Sequence, residues 1–209
     1  MHTITRELRD HYSKTFAEHG PSAAGVDWGR QSDVDLRYSN MLAVIKPDME
    51  TKSPVSLLDV GCGFGGLLDF ANANGTSLNY TGLDISEEMI AWAKSEHPDA
   101  TFVAGDALET DDLGGRFEYV VCNGILTQKL SASISEMDAY AQALIRRMFE
   151  LCTVGIAFNV MTSKVNFMAP NLYYRNPVEL LGWCFTEITP KFRIDHSYPL
   201  YEYTVYLYR

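Results

Sequence analysis

No run of about 18 consecutive apolar residues occurs in this chain of 209 residues, so a membrane-spanning helix is not expected. The first residues, Met1 to Glu7, hold no apolar h-region, which argues against a secretory leader. Only four cysteines are present, Cys62, Cys122, Cys152 and Cys184, all far apart and none in a CxxC or Cys/His spacing. That excludes a zinc module and a redox pair, and the plain reading is reduced, buried thiols in a cytoplasmic protein. Basic residues are scarce: 17 Lys and Arg face 27 Asp and Glu, for a net charge of −10. Nucleic-acid binding is dominated by phosphate neutralisation, so this balance disfavours such a partner and equally an anionic membrane surface. Repeats and low-complexity tracts are absent as well.

What is present is the composition of an ordinary globular domain, and one stretch organises it. Val55-Ser56-Leu57-Leu58-Asp59-Val60 reads as a buried strand, and Gly61-Cys62-Gly63-Phe64-Gly65-Gly66 as a tight turn into a helix over about 65–74. The first amides of such a helix lack partners and favour a polar ligand. Upstream, residues 4–19 carry Leu8, Tyr12 and Phe16 at helical spacing, and Gly20-Pro21 stops them. Ser32 is a candidate N-cap, with Asp35 three residues on, for a helix whose face is Val34, Tyr38, Met41, Leu42 and Ile45. Pro47 and Pro54 bracket a short polar connection, so 1–53 reads as an N-terminal helical extension before a domain over 54–209.

Downstream, strands are expected over 79–84, 101–104, 117–122, 154–161, 191–195 and 201–208. Helices start at Ser86, at a capping box of Ser133 and Glu136, and at Asn176-Pro177. In the last strand, Tyr201, Tyr203, Val205 and Leu207 are expected to share one face. The alternation implies an α/β fold: a doubly wound, Rossmann-like, mostly parallel seven-stranded sheet with an antiparallel last strand and helices on both faces. Ligands of such sheets bind beyond the C-terminal strand ends at the switch point.

Gly61-Cys62-Gly63-Phe64-Gly65-Gly66 formally matches GxGxxG, which alone would allow NAD(P) and an oxidoreductase. Three carboxylates argue otherwise. Asp59, Asp84 and Asp106 follow three successive strands, and together they are poor neighbours for pyrophosphate but good ones for amines and hydroxyls.

Leu57-Leu58-Asp59-Val60-Gly61-Cys62-Gly63-Phe64-Gly65, Gly82-Leu83-Asp84-Ile85-Ser86-Glu87-Glu88-Met89 and Gly105-Asp106-Ala107 resemble, in order and spacing, the motifs of class I S-adenosylmethionine-dependent methyltransferases. The resemblance covers about residues 55–160. It implies that S-adenosylmethionine is the cofactor, S-adenosylhomocysteine the product, and that no metal is needed. It further implies that Gly61 and Gly63 approach the methionine moiety and that Asp59 lies near its ammonium. An alternative is that Asp59 only orients the glycine loop. Asp84 would accept both ribose hydroxyls. Ile85 and Met89 would pack on the adenine, Asp106 and Ala107 would bind its edge, and Asn123 would lie near the methyl.

Residues before the first strand of such a fold can close over the crevice. Tyr12, Trp28 and Arg37 are the candidates there, with Arg37 as a carboxylate clamp and core packing the alternative for Tyr12. Asn123-Gly124-Ile125-Leu126 lacks the Asn/Asp-Pro-Pro-aromatic motif of base and glutamine methylation, which points to a small organic acceptor. Its expected wall is Phe167, Tyr173, Tyr174, Arg175 and Tyr198. His196 is the candidate general base, an exposed turn histidine being the alternative. A homodimer is compatible with these features, and so is a non-catalytic cofactor-binding subunit of a partner enzyme.

Overall fold

A computed structural model describes residues 3–45 and 54–209. The connection between Pro47 and Pro54 therefore lies outside the described residues apart from Pro54 itself. Two helices, α1 (Thr3–His19) and α2 (Gln31–Leu42), precede strand β1 (Val55–Val60). The chain continues through α3 (Gly66–Ala73), β2 (Leu78–Asp84), α4 (Glu87–Glu96), β3 (Thr101–Ala104), β4 (Phe117–Cys122) and α5 (Ile134–Leu151). It ends with β5 (Cys152–Thr162), β6 (Tyr174–Arg175), α6 (Pro177–Glu187), β7 (Phe192–Asp195) and β8 (Glu202–Tyr208).

The sheet order is β3-β2-β1-β4-β5-β8-β7, with the two-residue β6 alongside the end of β5. Strands β1 to β6 pair in parallel, while β8 runs antiparallel to both β5 and β7. The seven-stranded sheet is thus as the alternation implies; β6 is the addition, hidden in sequence because two residues give no period. The order reverses between β1 and β4, which puts the switch point beside Gly61 and Asn123.

Strand pleating sends alternate residues into two cores. Leu58, Val60, Val120 and Cys122 meet α5 and α6 on one face, where Ile4 and Leu8 of α1 also pack. Leu57, Tyr119 and Val121 meet α3 and α4 on the other, with Val34, Tyr38 and Met41 of α2. The segment before β1 therefore belongs to both cores.

Two local expectations are corrected. Arg30 precedes α2 in extended conformation and no side chain caps that helix; Ser32 lies inside its first turn, where Gln31 Nε2 donates instead to Asp35 Oδ1 (2.9 Å). β8 begins at Glu202, and every residue of it is buried. Its Tyr203, Val205 and Leu207 face one core, Tyr206 and Tyr208 the other, whereas Tyr201 is 73% exposed. The shared face thus holds for Tyr203, Val205 and Leu207 and loses only Tyr201, which precedes the strand; the opposite face is buried as well because β8 sits between β5 and β7. The helix starts at Ser86, Ser133 and Asn176 hold, each side chain accepting from a first-turn amide.

Candidate active site

A crevice opens beyond the C-terminal ends of β1, β2, β3 and β4. Its floor is the turn after β1. Gly61 and Cys62 both donate their amides to the Leu83 carbonyl (2.7 and 3.2 Å), which straps the turn to β2. Gly61 sits at φ +78°, and a Cβ there would come within 2.6 Å of Ile125 Cδ1. Gly61→Ala is expected to destabilise the protein by about 1–2 kcal/mol from the left-handed backbone alone. A thermal melt should then fall by roughly 3–6 °C for a domain of this size.

Asp84 holds the next part of the floor. Its Oδ2 accepts the Gly63 amide and its Oδ1 the Ser86 amide, each at 2.8 Å. Burial pushes this carboxyl up, against the lowering effect of the backbone donors of Ser86, Gly63 and Ile85. The glycine loop is therefore oriented by Asp84 and not by Asp59. Asp59, 2% exposed, accepts instead from the Tyr80 hydroxyl (2.7 Å). Desolvation raises Asp59 to about 7, the Tyr80 bond opposes the rise and the nearby Asp84 adds to it.

Asp106 lies at the third strand end. Its Oδ1 accepts from Leu108 N (2.9 Å), while its Oδ2 is buried without a partner among the described residues. Both side-chain polar atoms of Asn123 are likewise buried and unpartnered. Buried polar atoms carry a cost unless something bonds them, and both residues line the crevice. Ile85, Met89 and Ala107 supply apolar wall beside them.

The segment before β1 closes the crevice with Thr5, Leu8, Tyr12, Val26, Trp28 and Tyr38. Burial, then Asp27, pushes the Tyr12 phenol up. Asp27 itself adopts φ +59° and bonds His11 Nε2 (3.0 Å) and Gln128 Nε2 (3.1 Å), linking α1 to the loop after β4. Nothing in the local sequence singles out this contact, since its three residues are far apart in the chain.

Several expected residues lie elsewhere. Arg37 does not line the crevice. Its guanidinium is taken by Glu202, a carboxylate 1% exposed that needs a cation, and it covers the Trp28 ring at 5.0 Å. Tyr173 is 2% exposed, belongs to a core, and donates its hydroxyl to Asp138. Tyr174 Oη accepts from Ala169 N (3.2 Å), and Arg175 pairs with Asp138 and Glu179. Tyr198 shares a hydrogen bond with Thr204 Oγ1 (2.9 Å). His196 reaches the strand-end edge expected of it, because β7 is parallel to β5, but it is exposed and edges the Tyr203 ring. Phe167 is 77% exposed. None of these seven lines the crevice: Tyr173 is held in a core, Arg37 and Arg175 in ion pairs, Tyr174 and Tyr198 in local hydrogen bonds, and Phe167 and His196 stand in solvent.

The description "Methyltransferase domain" belongs to the family model that matches residues 57–151. "Putative methyltransferase Rv1506c" of Mycobacterium tuberculosis is 31% identical over 157 residues, covering 73% of this chain and 92% of that protein. This chain belongs to the S-adenosylmethionine-dependent methyltransferases. A second member, the dTDP-3-amino-3,6-dideoxy-alpha-D-glucopyranose N,N-dimethyltransferase of Streptomyces fradiae, is 34% identical over 98 residues, 46% of this chain and 36% of that protein. The methyltransferase sheet recurs in the magnesium protoporphyrin IX methyltransferase of Synechocystis, solved with S-adenosylmethionine bound. Its TM-score is 0.66, its identity 18%, and the match covers 100% of this chain and 98% of that one. Among the described residues of this methyltransferase no helix is long and apolar enough to cross a membrane, and no cluster of His, Cys, Asp and Glu has a metal-binding arrangement.

Proposed function

We propose that this methyltransferase acts on a small organic acceptor and holds its methyl donor in the crevice described above. One observation carries the donor assignment. Three strand-end carboxylates and the unpartnered atoms of Asp106 and Asn123 converge on one crevice at the switch point of the sheet. When bound, the donor supplies a sulfonium-activated methyl; the chain's part is to bind, orient and exclude water.

In this reading Asp84 accepts the ribose hydroxyls with the lone pairs its two amide donors leave free. Gly61 and Gly63 let the methionine portion approach the backbone, and Asp59 faces the ammonium. Ile85 and Met89 cover the adenine. Asp106 accepts from its amino group, with Ala107 beside it. Asn123, at the switch point, faces the sulfonium side. Residues 3–45 act as the lid, with Tyr12 and Trp28 as its ligand-facing aromatics, and Arg37 serves by holding Trp28 rather than by touching the donor.

A small acceptor accords with the wall that residues 3–45 supply, since Thr5, Leu8, Tyr12, Val26, Trp28 and Tyr38 narrow the approach to the crevice. The named activity of the Streptomyces relative, on a sugar nucleotide, is in keeping with that. A net charge of −10 weighs against nucleic acid. A general base is needed only for an acceptor that keeps its proton at neutral pH, and His196 stands too far out to be assigned that part. Cytoplasmic residence accords with the four free, buried cysteines.

A thermal-shift panel tests the donor. S-adenosylhomocysteine at a hundred times its dissociation constant should stabilise the protein by about 2.7 kcal/mol. NAD(P) should give no shift. The opposite pattern would return the glycine turn to a dinucleotide. Donor binding without turnover across a broad panel of amines, phenols and acids would favour a non-catalytic subunit.

A further inference from the structure

Three side chains and one backbone amide, far apart in sequence, form a largely buried polar chain behind the crevice. Arg37 forks onto Glu202, with Nε 3.0 Å from Oε1 and Nη2 3.0 Å from Oε2. Glu202 Oε1 also accepts from Asn159 Nδ2 (3.2 Å). Asn159 Oδ1 in turn accepts the backbone amide of Gly124 (2.9 Å). Gly124 follows Asn123 in the turn after β4, at φ +95°, and a Cβ there would lie 3.1 Å from the Trp28 ring. That ring is covered by Arg37. The contacts thus close on themselves: Arg37, Glu202, Asn159, Gly124, Trp28 and back to Arg37.

Stability alone does not call for this arrangement. Apolar groups of similar volume usually replace a buried ion pair at no cost, whereas loss of one partner strands the other charge. Glu202 and Asn159 are each 1% exposed, and the Asn159 amide is used at both ends, so its orientation is determined by the network. Both ends of the chain touch the crevice wall, at Gly124 and at Trp28.

We propose that Arg37, Glu202 and Asn159 are positioning residues that set the Asn123-Gly124 turn against Trp28, and so shape the sulfonium and methionine end of the donor site. The proposal rests on the donor assignment above. The ribose and adenine end, built from β2 and β3, is outside the network.

The test compares S-adenosylhomocysteine with adenosine, which lacks the methionine half, by calorimetry on the full chain. Glu202→Gln keeps an acceptor for Asn159 but removes the charge that Arg37 needs. It should weaken S-adenosylhomocysteine about tenfold and adenosine less than twofold, and should shift the Gly124 amide resonance. Arg37→Met/Glu202→Gln removes both charges, which covers the case in which the single variant fails to fold. It should regain thermal stability without regaining S-adenosylhomocysteine affinity. Parallel loss of both ligands, unchanged affinity for both, or recovered affinity in the double variant would overturn the proposal. Absence of S-adenosylhomocysteine binding by the unaltered protein would instead overturn the donor assignment beneath it.

Discussion

Asp84→Ala is expected to lower affinity for S-adenosylhomocysteine at least a hundredfold, or about 2.7 kcal/mol at 25 °C. The carboxylate is the only side chain at the end of β2 that bonds the glycine turn and also faces the crevice. A cis-diol presents two O–H donors side by side, and one carboxylate can take both. The same change strands the amides of Gly63 and Ser86, at a cost of about 1–3 kcal/mol for a buried donor. Asp84→Asn separates the two effects, since its amide oxygen still accepts one of those bonds while its amide nitrogen cannot accept from a ribose. Calorimetry should therefore show both variants binding weakly, and the alanine variant, which strands two amides where the asparagine variant strands one, should melt the lower of the two without ligand. Affinity within threefold of the unaltered protein in Asp84→Asn would remove the ribose role.

Asp59→Asn is expected to make the ligand-free protein more stable above pH 7 and to flatten its dependence on pH. The folded carboxyl sits at about 7, against an ordinary value of 3.8, because burial disfavours its charge. Between those values the native state keeps a proton that the unfolded chain has released. Unfolding there is linked to proton release, so stability falls as pH rises from about 4 to about 7 and then levels off. At about 1.4 kcal/mol per pKa unit, the upper bound is on the order of 4 kcal/mol. Water entering the crevice screens part of that, and a melting difference of several degrees between pH 5 and pH 8 is the practical signal. A cationic ligand reverses the preference, because an ammonium beside Asp59 favours the ionised form. Binding of S-adenosylmethionine near pH 6.5 should then release protons, read as a buffer-dependent enthalpy that disappears in Asp59→Asn. An unchanged melting slope in the variant would show that another group titrates.

The sheet and the floor of the crevice were legible because their signals are local. Apolar runs ending in glycine or aspartate mark β1 and β2, and Ser86, Ser133 and Asn176 mark helix starts through side chains a few residues from their targets. The acceptor side was not legible for the converse reason. Tyr173, Tyr174 and Arg175 occur in a polar, aromatic segment that reads the same whether it faces a ligand or a core. What decides is Asp138, an exposed-looking residue on α5 that takes both the Tyr173 hydroxyl and Arg175. Arg37 reads as a site residue because it precedes the first strand, but its destination depends on Glu202, 165 residues away. Asn159 did carry a signal: a lone amide inside the run Ile156-Ala157-Phe158-Asn159-Val160 is costly in a buried strand unless it is bonded at both ends.

Ile4 and Leu8 pack with α5 and β4, while Val34, Tyr38 and Met41 pack with α3 and β1. The roof of the crevice is therefore sewn into the apolar interior on both sides of the sheet. It cannot hinge away as a detached flap, since lifting either helix exposes core. Between these anchors lie Tyr12, the polar contacts of Asp27 and the Trp28 ring, which line or flank the crevice. Roof and floor thus share their apolar packing, so loosening either is coupled to the stability of the sheet itself.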